Sequence, residues 1–475
     1  MYNLLKTKIV ATIGPASSDV KTIIKMLESG MTVARINMSH GNEKSHLETI
    51  KNIRLASKKS KLPVAILQDL SGPKIRIGDF STETIILKKG QTFILNTKKM
   101  VGNNNEVFVN YKKIPKEVEV GTFIYLNDGK QKLKVKKVTD TTVHTTVIVG
   151  GAIRGRRGVN LPEANLSISS LTPKDRRDLK FGLEQGVDFV TLSFVRHSKD
   201  LKQLKKLLGG NAPAVVAKIE TRQAIENLSD IINEADVLMV ARGDLAIETP
   251  LEKVPLLQKE IISQANKHGK PVITATQMLD SMRTSDTPTR AEINDIANAI
   301  IDGSDALMLS DETAVGNNPP KVVSLMAKVA KEIENSHLFL ETYHQKIKEF
   351  KLTSVTDTIT KNAYESVNVL SAKAIIALTE SGYTAIMSAR HRPPVPILAL
   401  TPNKSTFNKL LLVFGCDPVL ISKDYINDVT DAQKKSKHIV QQYKLVKHKE
   451  NYIIIAGIPF HESGTTNLVM VETLK

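Results

Sequence analysis

The chain has 475 residues, of which 41% are apolar, and it carries 66 Lys plus Arg against 49 Asp plus Glu, for a net charge of +17. That length is too great for one hydrophobic core, so two or three domains are expected, and the composition excludes a disordered chain. The positive balance suits anionic partners, but a lysine-rich solvated surface explains it equally simply and is the reading preferred.

Cys416 is the single cysteine, so no intrachain disulfide can form and a reducing, cytoplasmic setting is expected. The opening Met1–Val10 has no apolar leader core, and no run approaches the roughly 20 apolar residues that span a bilayer. No basic block is interleaved with aromatics, and tryptophan is absent, so neither a membrane nor a nucleic acid is expected as a partner.

In chain order, eight short β-rich runs alternate with helical patterns: Lys8–Gly14, Thr32–Ser39, Val64–Leu70, Asp188–Val195, Ala214–Glu220, Asp236–Arg242, Pro271–Gln277 and Ala306–Ser310. Val20–Ser29, Lys174–Gln185 and Arg290–Ile301 read as helices between them. Continuous apolar strands alternating with helices predict a parallel sheet covered by helices, and eight such units predict an α/β fold closed as a (β/α)8 TIM barrel. Its chemistry belongs at the C-terminal strand ends. The barrel is assigned to residues 1–71 and 156–345.

Between residues 72 and 155 the rhythm changes to short strands with turn signals: Thr84–Leu87, Gln91–Leu95, Glu106–Asn110, Thr122–Leu126 and Gln131–Lys137, with Asn127-Asp128-Gly129 as a hairpin turn. This predicts a small antiparallel β-barrel inserted after the third strand, placed either as a lid over the catalytic rim or as decoration. Residues 346–475 resume alternation with Ala374–Leu378, Pro396–Leu400, Pro418–Ile421, Tyr452–Ala456 and Asn467–Glu472, a separate C-terminal α/β layer.

The polar residues at the strand ends carry the chemistry. In Val33–Gly41, alternation puts Arg35, Asn37 and Ser39 on one face and Ile36 and Met38 on the other. Lys218 and Glu220 are two apart at the end of the fifth strand and point the same way, as a structural ion pair or as part of a site. Asp244 ends the sixth strand after Gly243, where a backbone can approach a ligand closely. Glu220 and Asp244 leave adjacent strands at one rim, and two carboxylates with substrate oxygens and waters is a usual Mg²⁺ arrangement. Thr276 shares its face with Thr274 by the same alternation. Ser310 either binds substrate or caps the next helix, and alone favours the cap. An arginine, a lysine, two acids and hydroxyls, with no nucleophile–histidine pair, suit a phosphorylated substrate with a metal better than acyl transfer.

These strings together resemble the pyruvate kinase family over essentially the whole chain. Lys8–Ser17, Arg35–Gly41, Gly72–Arg76, Gly158–Pro162, Lys218–Glu220, Ala241–Leu245, Ala275–Leu279 and Leu309–Ala314 match its motifs in order. The resemblance implies phosphoryl transfer from phosphoenolpyruvate to ADP, giving pyruvate and ATP. It implies Mg²⁺ or Mn²⁺ on Glu220 and Asp244, Lys218 on the transferring phosphoryl group, and Arg35 on the phosphate. Gly243, Asp244 and Thr276 would seat the carboxylate. Thr276 and Ser310 would belong to the route that protonates the enolate. Asn37, Met38, Ser39, His40, Arg76 and Arg157 would meet the nucleotide, with Arg157 standing where the family usually has lysine. The family is usually a homotetramer.

The residues matching the family's potassium site are Asn37, Ser39, Asp69 and Leu70. Many members have Asp-Thr-Lys-Gly-Pro-Glu where this chain has Asp69-Leu70-Ser71-Gly72-Pro73-Lys74. A threonine ligand is lost at Leu70, and the Lys74 ammonium supplies the charge K⁺ supplies elsewhere. An enzyme active without K⁺ is therefore expected. In the C-terminal region, Thr379, Glu380, Ser381, Gly382, Tyr383 and Thr384 form either a phosphate nest for a phosphorylated allosteric effector or an ordinary helix cap. Gly464–Asn467 would close that pocket. Two alternatives stay open: another barrel enzyme handling phosphoenolpyruvate or oxaloacetate, and a polyanion-binding regulator without catalysis.

Overall fold

The computed structural model describes residues 5–209, 213–460, 464 and 466–475. The predicted stretch Met1–Leu4 and the predicted pocket residue Thr465 lie outside the described residues. All eight expected strands form and close on themselves, with every neighbouring pair parallel. The strands are Lys8–Thr12, Met31–Asn37, Ala65–Asp69, Phe189–Leu192, Ala214–Ile219, Val237–Ala241, Val272–Ala275 and Ala306–Leu309.

Alternation sorts each strand into two sets. Ile9, Ala34, Ile66, Val190, Val215, Leu238 and Leu307 pack outward against the helices. Val10, Val33, Leu67, Phe189, Val216, Met239, Ile273 and Met308 fill the barrel interior. Branched and aromatic side chains on a pleated surface fill such a core densely. Polar inward positions gather at the strands' C-terminal ends, while at the floor Lys8, on the face of Val10, is paired with Asp417 at 3.6 Å. Among the described residues, no helix is long and apolar enough to cross a membrane.

The inserted segment folds around its own apolar core, which includes Phe93, Leu95, Ile124, Leu133 and Val147. Six strands run in the order Val159–Asn160, Phe123–Leu126, Gln131–Val138, Thr142–Val149, Thr92–Asn96, Glu106–Phe108. Thr84–Leu87 pairs separately with Gly151–Arg154. The sheet is mixed, since Thr92–Asn96 and Glu106–Phe108 are parallel. It keeps two edges joined only by isolated bridges, such as Arg76 with Gly158, instead of closing as a fully hydrogen-bonded barrel. The expected hairpin forms: Leu126 faces Gln131 across Asn127, Asp128 and Gly129, all with positive φ. Three strands were not anticipated. Thr142–Val149 hides its alternation because the buried member Thr145 is polar; its hydroxyl donates to the Phe93 carbonyl at 2.6 Å. Val159–Asn160 lies past the expected boundary at 155 yet pairs with Phe123–Leu126, and Leu161 and Ala164 still pack in the insertion's core.

The C-terminal layer is a five-stranded sheet in the order Cys416–Leu420, Ile397–Thr401, Ile375–Leu378, Asn451–Ala456, Leu468–Thr473, with only the last strand antiparallel. The expected boundary at 345 falls inside the helix His337–Lys348, whose Phe339, Tyr343 and Ile347 are buried. Phe407, Leu411 and Leu412 join the apolar cluster of the barrel interior, so this layer plugs the barrel floor. Beside the plug, Arg392 is 2% exposed and holds Asp305 with both terminal nitrogens, at 2.7 and 2.9 Å. A buried pair of this kind is costly to break from one side, by about 3–5 kcal/mol.

His391, next to that arginine, is wholly buried. Thr360 donates its hydroxyl hydrogen to the Thr356 carbonyl at 2.8 Å, which leaves its oxygen, 3.3 Å from Nε2, to accept from His391. Nδ1 has no partner. Burial, reinforced by the Arg390 guanidinium, pushes this imidazole down to about 3 from its ordinary 6.5. The unfolded chain therefore binds a proton below pH 6.5 that the folded chain refuses, and stability falls as pH drops from about 6.5 toward 3. Between pH 7 and 5 this single group costs about 2 kcal/mol. Urea unfolding of wild type and His391→Gln at both pH values checks this: the loss of stability on acidification shrinks by about that amount in the variant, and an unchanged loss refutes the assignment.

Candidate active site

At the C-terminal mouth of the barrel, Arg35, Asn37, Ser39, Asp69, Leu70, Lys74, Lys218, Asp244, Thr276 and Ser310 line one cavity of about 140 Å³. His40, Arg76 and Arg157 line an adjoining cleft of about 330 Å³, which shares Lys74, Phe194 and Asp244 with the first. The polar strand ends singled out in the sequence thus converge, and most of them meet in one place.

Arg35 is the anchor of the second strand. Its Nε donates to Asp69 Oδ2 at 2.8 Å and its Nη1 to Thr12 Oγ1 at 2.8 Å. Burial opposes ionisation of Asp69, but Lys218 and Arg35 outweigh it and hold the carboxyl below its usual range. Asp69 Oδ1 is buried with no hydrogen-bond partner, an acceptor left over for a cation. Lys74 lies in the same cavity. Desolvation first, and then repulsion from Lys218, lower its ammonium from the ordinary value, against the pull of Asp244.

Lys218 contacts Glu220 at 3.0 Å and donates to Ser193 Oγ at 3.1 Å. Burial works against its charge, but Glu220, Asp69 and Asp244 together raise it above the usual lysine range and favour the ammonium form. Glu220 is fully buried, and burial pushes it up to about 7 against the favourable Lys218 contact. Its Oε1 accepts from the Phe194 amide at 2.6 Å, while Oε2 is the oxygen that faces the Lys218 ammonium at 3.0 Å. The buried Glu220 carboxylate and Asp244 on the cavity wall are hard oxygen ligands of the kind that fit a divalent cation. Among the described residues no group of three His, Cys, Asp or Glu could hold a metal by itself.

Three expectations need correction. Met38 does not face the nucleotide cleft: its side chain is 3% exposed in the apolar core, and Lys174 Nζ takes its carbonyl at 2.6 Å. Thr276 does not share a face with Thr274. The strand ends at Ala275, and Thr276 and Gln277 have φ of 71° and 55°. Thr274 instead hydrogen-bonds Ser304 at 2.7 Å outside the barrel interior, and the left-handed turn swings Thr276 back into the site. A left-handed, β-branched residue is a rare conformation that costs on the order of 1–3 kcal/mol. Ser310 does not cap its helix: it precedes Asp311–Ala314 without a side-chain cap bond and lines the cavity. The Gly243 amide is also engaged, donating to Thr276 Oγ1 at 2.9 Å.

Some residues of the site escaped sequence reasoning. Ser193 and Phe194 support Lys218 and Glu220, and Phe194 has φ of 54°. A Cβ on Gly72, which has φ of 65°, would lie 2.8 Å from Phe194 and 2.9 Å from Ser193, so only glycine lets that loop close on them. Asn160, from the insertion, donates to Glu248 on the barrel at 3.3 Å. Burial, with Asp244 and Glu220 nearby, pushes Glu248 up to about 7. No local motif marks Ser193, Phe194 or Glu248, and Gly72 and Asn160, though within matched strings, gain their role here only from a distant partner.

In the C-terminal layer, Thr379, Glu380, Ser381, Tyr383 and Thr384 line a cavity of about 50 Å³ with Lys423 and Phe460. Gly382 begins the helix Tyr383–Ala389 with φ of 90°, and its amide is taken by Thr379 Oγ1 at 2.9 Å. Thr384 and Thr466 hydroxyls meet at 2.8 Å. Asn403 and Thr406 hold the Glu380 carbonyl at 3.0 and 2.8 Å, and Asn403 also takes its carboxylate.

Comparison with known proteins agrees with this architecture. Residues 4–323 match the family description "Pyruvate kinase, barrel domain", and residues 357–472 match "Pyruvate kinase, alpha/beta domain". A pyruvate kinase of Thermotoga maritima is 43% identical over 98% of this chain and 98% of its own length. That of Geobacillus stearothermophilus is 41% identical over 99% of this chain and 80% of its own. The crystal structure of a pyruvate kinase from Cryptosporidium parvum superimposes with a TM-score of 0.94 at 34% identity, covering 99% of this chain and 97% of that one. With both halves of the chain matched and relatives of this similarity spanning it end to end, the chain belongs to the pyruvate kinase family.

Proposed function

We propose that this chain transfers the phosphoryl group of phosphoenolpyruvate to ADP, giving pyruvate and ATP, as the glycolytic enzyme of its family. The observation that carries the reading is the meeting of Arg35, Lys218, Lys74 and Asp244 in one cavity at the barrel mouth, with Glu220 buried directly behind Lys218 at 3.0 Å. Glu220 and Asp244 would hold Mg²⁺ or Mn²⁺, which when bound supplies positive charge opposite the substrate's carboxylate and phosphate.

Arg35 is already fixed by Asp69 and Thr12, so it binds the phosphate without reorganising. The bond between phosphorus and the enol oxygen breaks as a bond from phosphorus to an ADP terminal oxygen forms. Lys218 stays charged throughout and stabilises both the phosphoryl oxygens and the enolate left behind. The enolate then takes a proton at its methylene carbon from a water held by Thr276 and Ser310. His40, Arg76 and Arg157 in the adjoining cleft would receive the nucleotide, along with Asn37 and Ser39. In an assay coupled to lactate dehydrogenase, wild type forms pyruvate from phosphoenolpyruvate and ADP. Lys218→Met lowers kcat by several orders of magnitude, since a preorganised charge is worth on the order of several kcal/mol. No pyruvate from wild type rejects the reading, and near-normal turnover in the variant rejects the role of Lys218.

The second part of the proposal is that Lys74 takes the place of potassium. Asp69 Oδ1 is a buried acceptor without a donor, Leu70 offers no side-chain oxygen, and an ammonium already shares the cavity. A second cation there would be repelled by Lys74 and Lys218. Activity in tetramethylammonium buffer is expected to rise less than about twofold on adding 100 mM K⁺, a shift small on the scale of a full ion–ion contact; a strong K⁺ requirement sinks the idea.

The loop Thr379–Thr384 is proposed to take a phosphorylated effector, supported by its hydroxyls and Lys423 around one small cavity. A sugar phosphate or nucleoside monophosphate from a screen should shift the phosphoenolpyruvate saturation curve, and Ser381→Asp should abolish the shift by like-charge repulsion. A response that survives in Ser381→Asp moves the effector elsewhere.

A further inference from the structure

Thr276 is held in the site by a conformation its own chemistry disfavours. Strand alternation runs Ile273 inward, Thr274 outward and Ala275 inward. Continued extension would send Thr276 outward, as it sends Thr274 to Ser304. Instead, two successive non-glycine residues, Thr276 and Gln277, turn left-handed. Something outside the turn must hold it there.

Arg242 does so. It is the first residue of the helix Arg242–Glu248, immediately before Gly243 and Asp244, and its side chain is 11% exposed. Its Nε donates to the Ala275 carbonyl at 3.1 Å, and its Nη2 donates to the Thr276 carbonyl. The far side of the guanidinium is anchored: Nη1 meets Asp295 Oδ1 at 2.7 Å and Gln258 Oε1 at 3.4 Å. The planar fork therefore grips the two carbonyls that flank the Thr276 amide and carbon while an acid on another helix balances its charge. Thr276 Oγ1 accepts from the Gly243 amide at 2.9 Å and donates to the Ala275 carbonyl at 2.6 Å, the same oxygen that Arg242 Nε holds. The hydroxyl is thus fixed between the turn that Arg242 grips and the residue next to Arg242.

We propose that Arg242 is a positioning residue for the reaction: it holds the left-handed turn that carries the Thr276 side chain into the substrate cavity, and it acts through Thr276. The inference rests on the reading of Thr276 given above. Lysine cannot replace it, because a single ammonium cannot meet both carbonyls and Asp295 in this fork. Asp295 is a remote part of the same device, since removing it frees the guanidinium to leave the turn.

A double-mutant cycle on the full-length enzyme tests this. Arg242→Gln, Thr276→Ala and the pair are compared for kcat and for KM toward ADP. Displacing a reacting group by about an ångström costs on the order of 10²-fold. Arg242→Gln is expected to lower kcat by that order with KM for ADP unchanged within twofold, and to add little once Thr276 is alanine. Arg242→Lys and Asp295→Asn, the milder variants, carry the test where Arg242→Gln does not fold, and should show smaller losses with the same non-additivity. Fully additive losses, or a rise in KM for ADP that matches the fall in kcat, overturn the proposal. A Thr276→Ala enzyme with normal kcat removes the reading of Thr276 itself and the proposal with it. A slow Thr276→Ala beside a normal, folded Arg242→Gln removes only the role of Arg242.

Discussion

Closure of eight parallel strands is the constraint on which everything else depends. In a closed barrel each inward side chain has no edge to escape by, so it must be packed or satisfied. Below, Val10, Val33, Phe189 and Met239 pack. Above, the same inward rows continue as Arg35, Asp69, Lys218 and Ser310, which cannot pack as hydrocarbon and instead share hydrogen bonds and charge around a cavity. The active site is where the apolar filling of the barrel stops. Its electrostatics follow: Lys218 keeps its charge in a desolvated place because three carboxylates surround it, and Asp69 keeps its own because Arg35 and Lys218 do the same in return.

This logic explains what could be read in advance. The eight barrel strands announce themselves as apolar runs because both faces of each are covered, and Glu220, Asp244, Lys218 and Arg35 stand out as charges at the ends of such runs. Period-two reasoning placed Arg35, Asn37 and Ser39 together because that strand keeps its regular torsions almost to Asn37. It failed at Thr276, where two positive φ values reverse the side chain. It held at Met38, which lies on the opposite, buried face; there it was the motif that gave the residue a role its buried position does not allow. Thr142–Val149 was passed over because a buried hydroxyl breaks the apolar count without breaking the strand. Arg392 carried no signal, and Arg242 and Asn160 sat in matched strings without a legible role, since their partners lie tens of residues away and only the fold brings them close.

The helix Arg242–Glu248 gathers several of these threads in seven residues. Its first residue holds the Thr276 turn, its third, Asp244, lines the cavity, and its last meets Asn160 of the inserted sheet. Gly129, at the tip of the insertion's hairpin, stands with its open side toward Ile247 of the same helix. One short, rigid element therefore touches the strained turn, the cavity and the insertion, so a displacement of any one of them is felt by the other two.

The floor of the barrel has a different implication. Phe407, Leu411 and Leu412 finish its interior, and Arg392 neutralises Asp305 at the root of the eighth strand, whose other end is Ser310. The C-terminal layer is thus not an accessory bolted to a self-sufficient catalyst. Severed from it, the barrel would present an open greasy base and a stranded carboxylate to water. The modular picture of one domain for chemistry and another for control gives way here to shared ownership of a single core. Mutational drift at the base is then restrained by both halves of the chain at once.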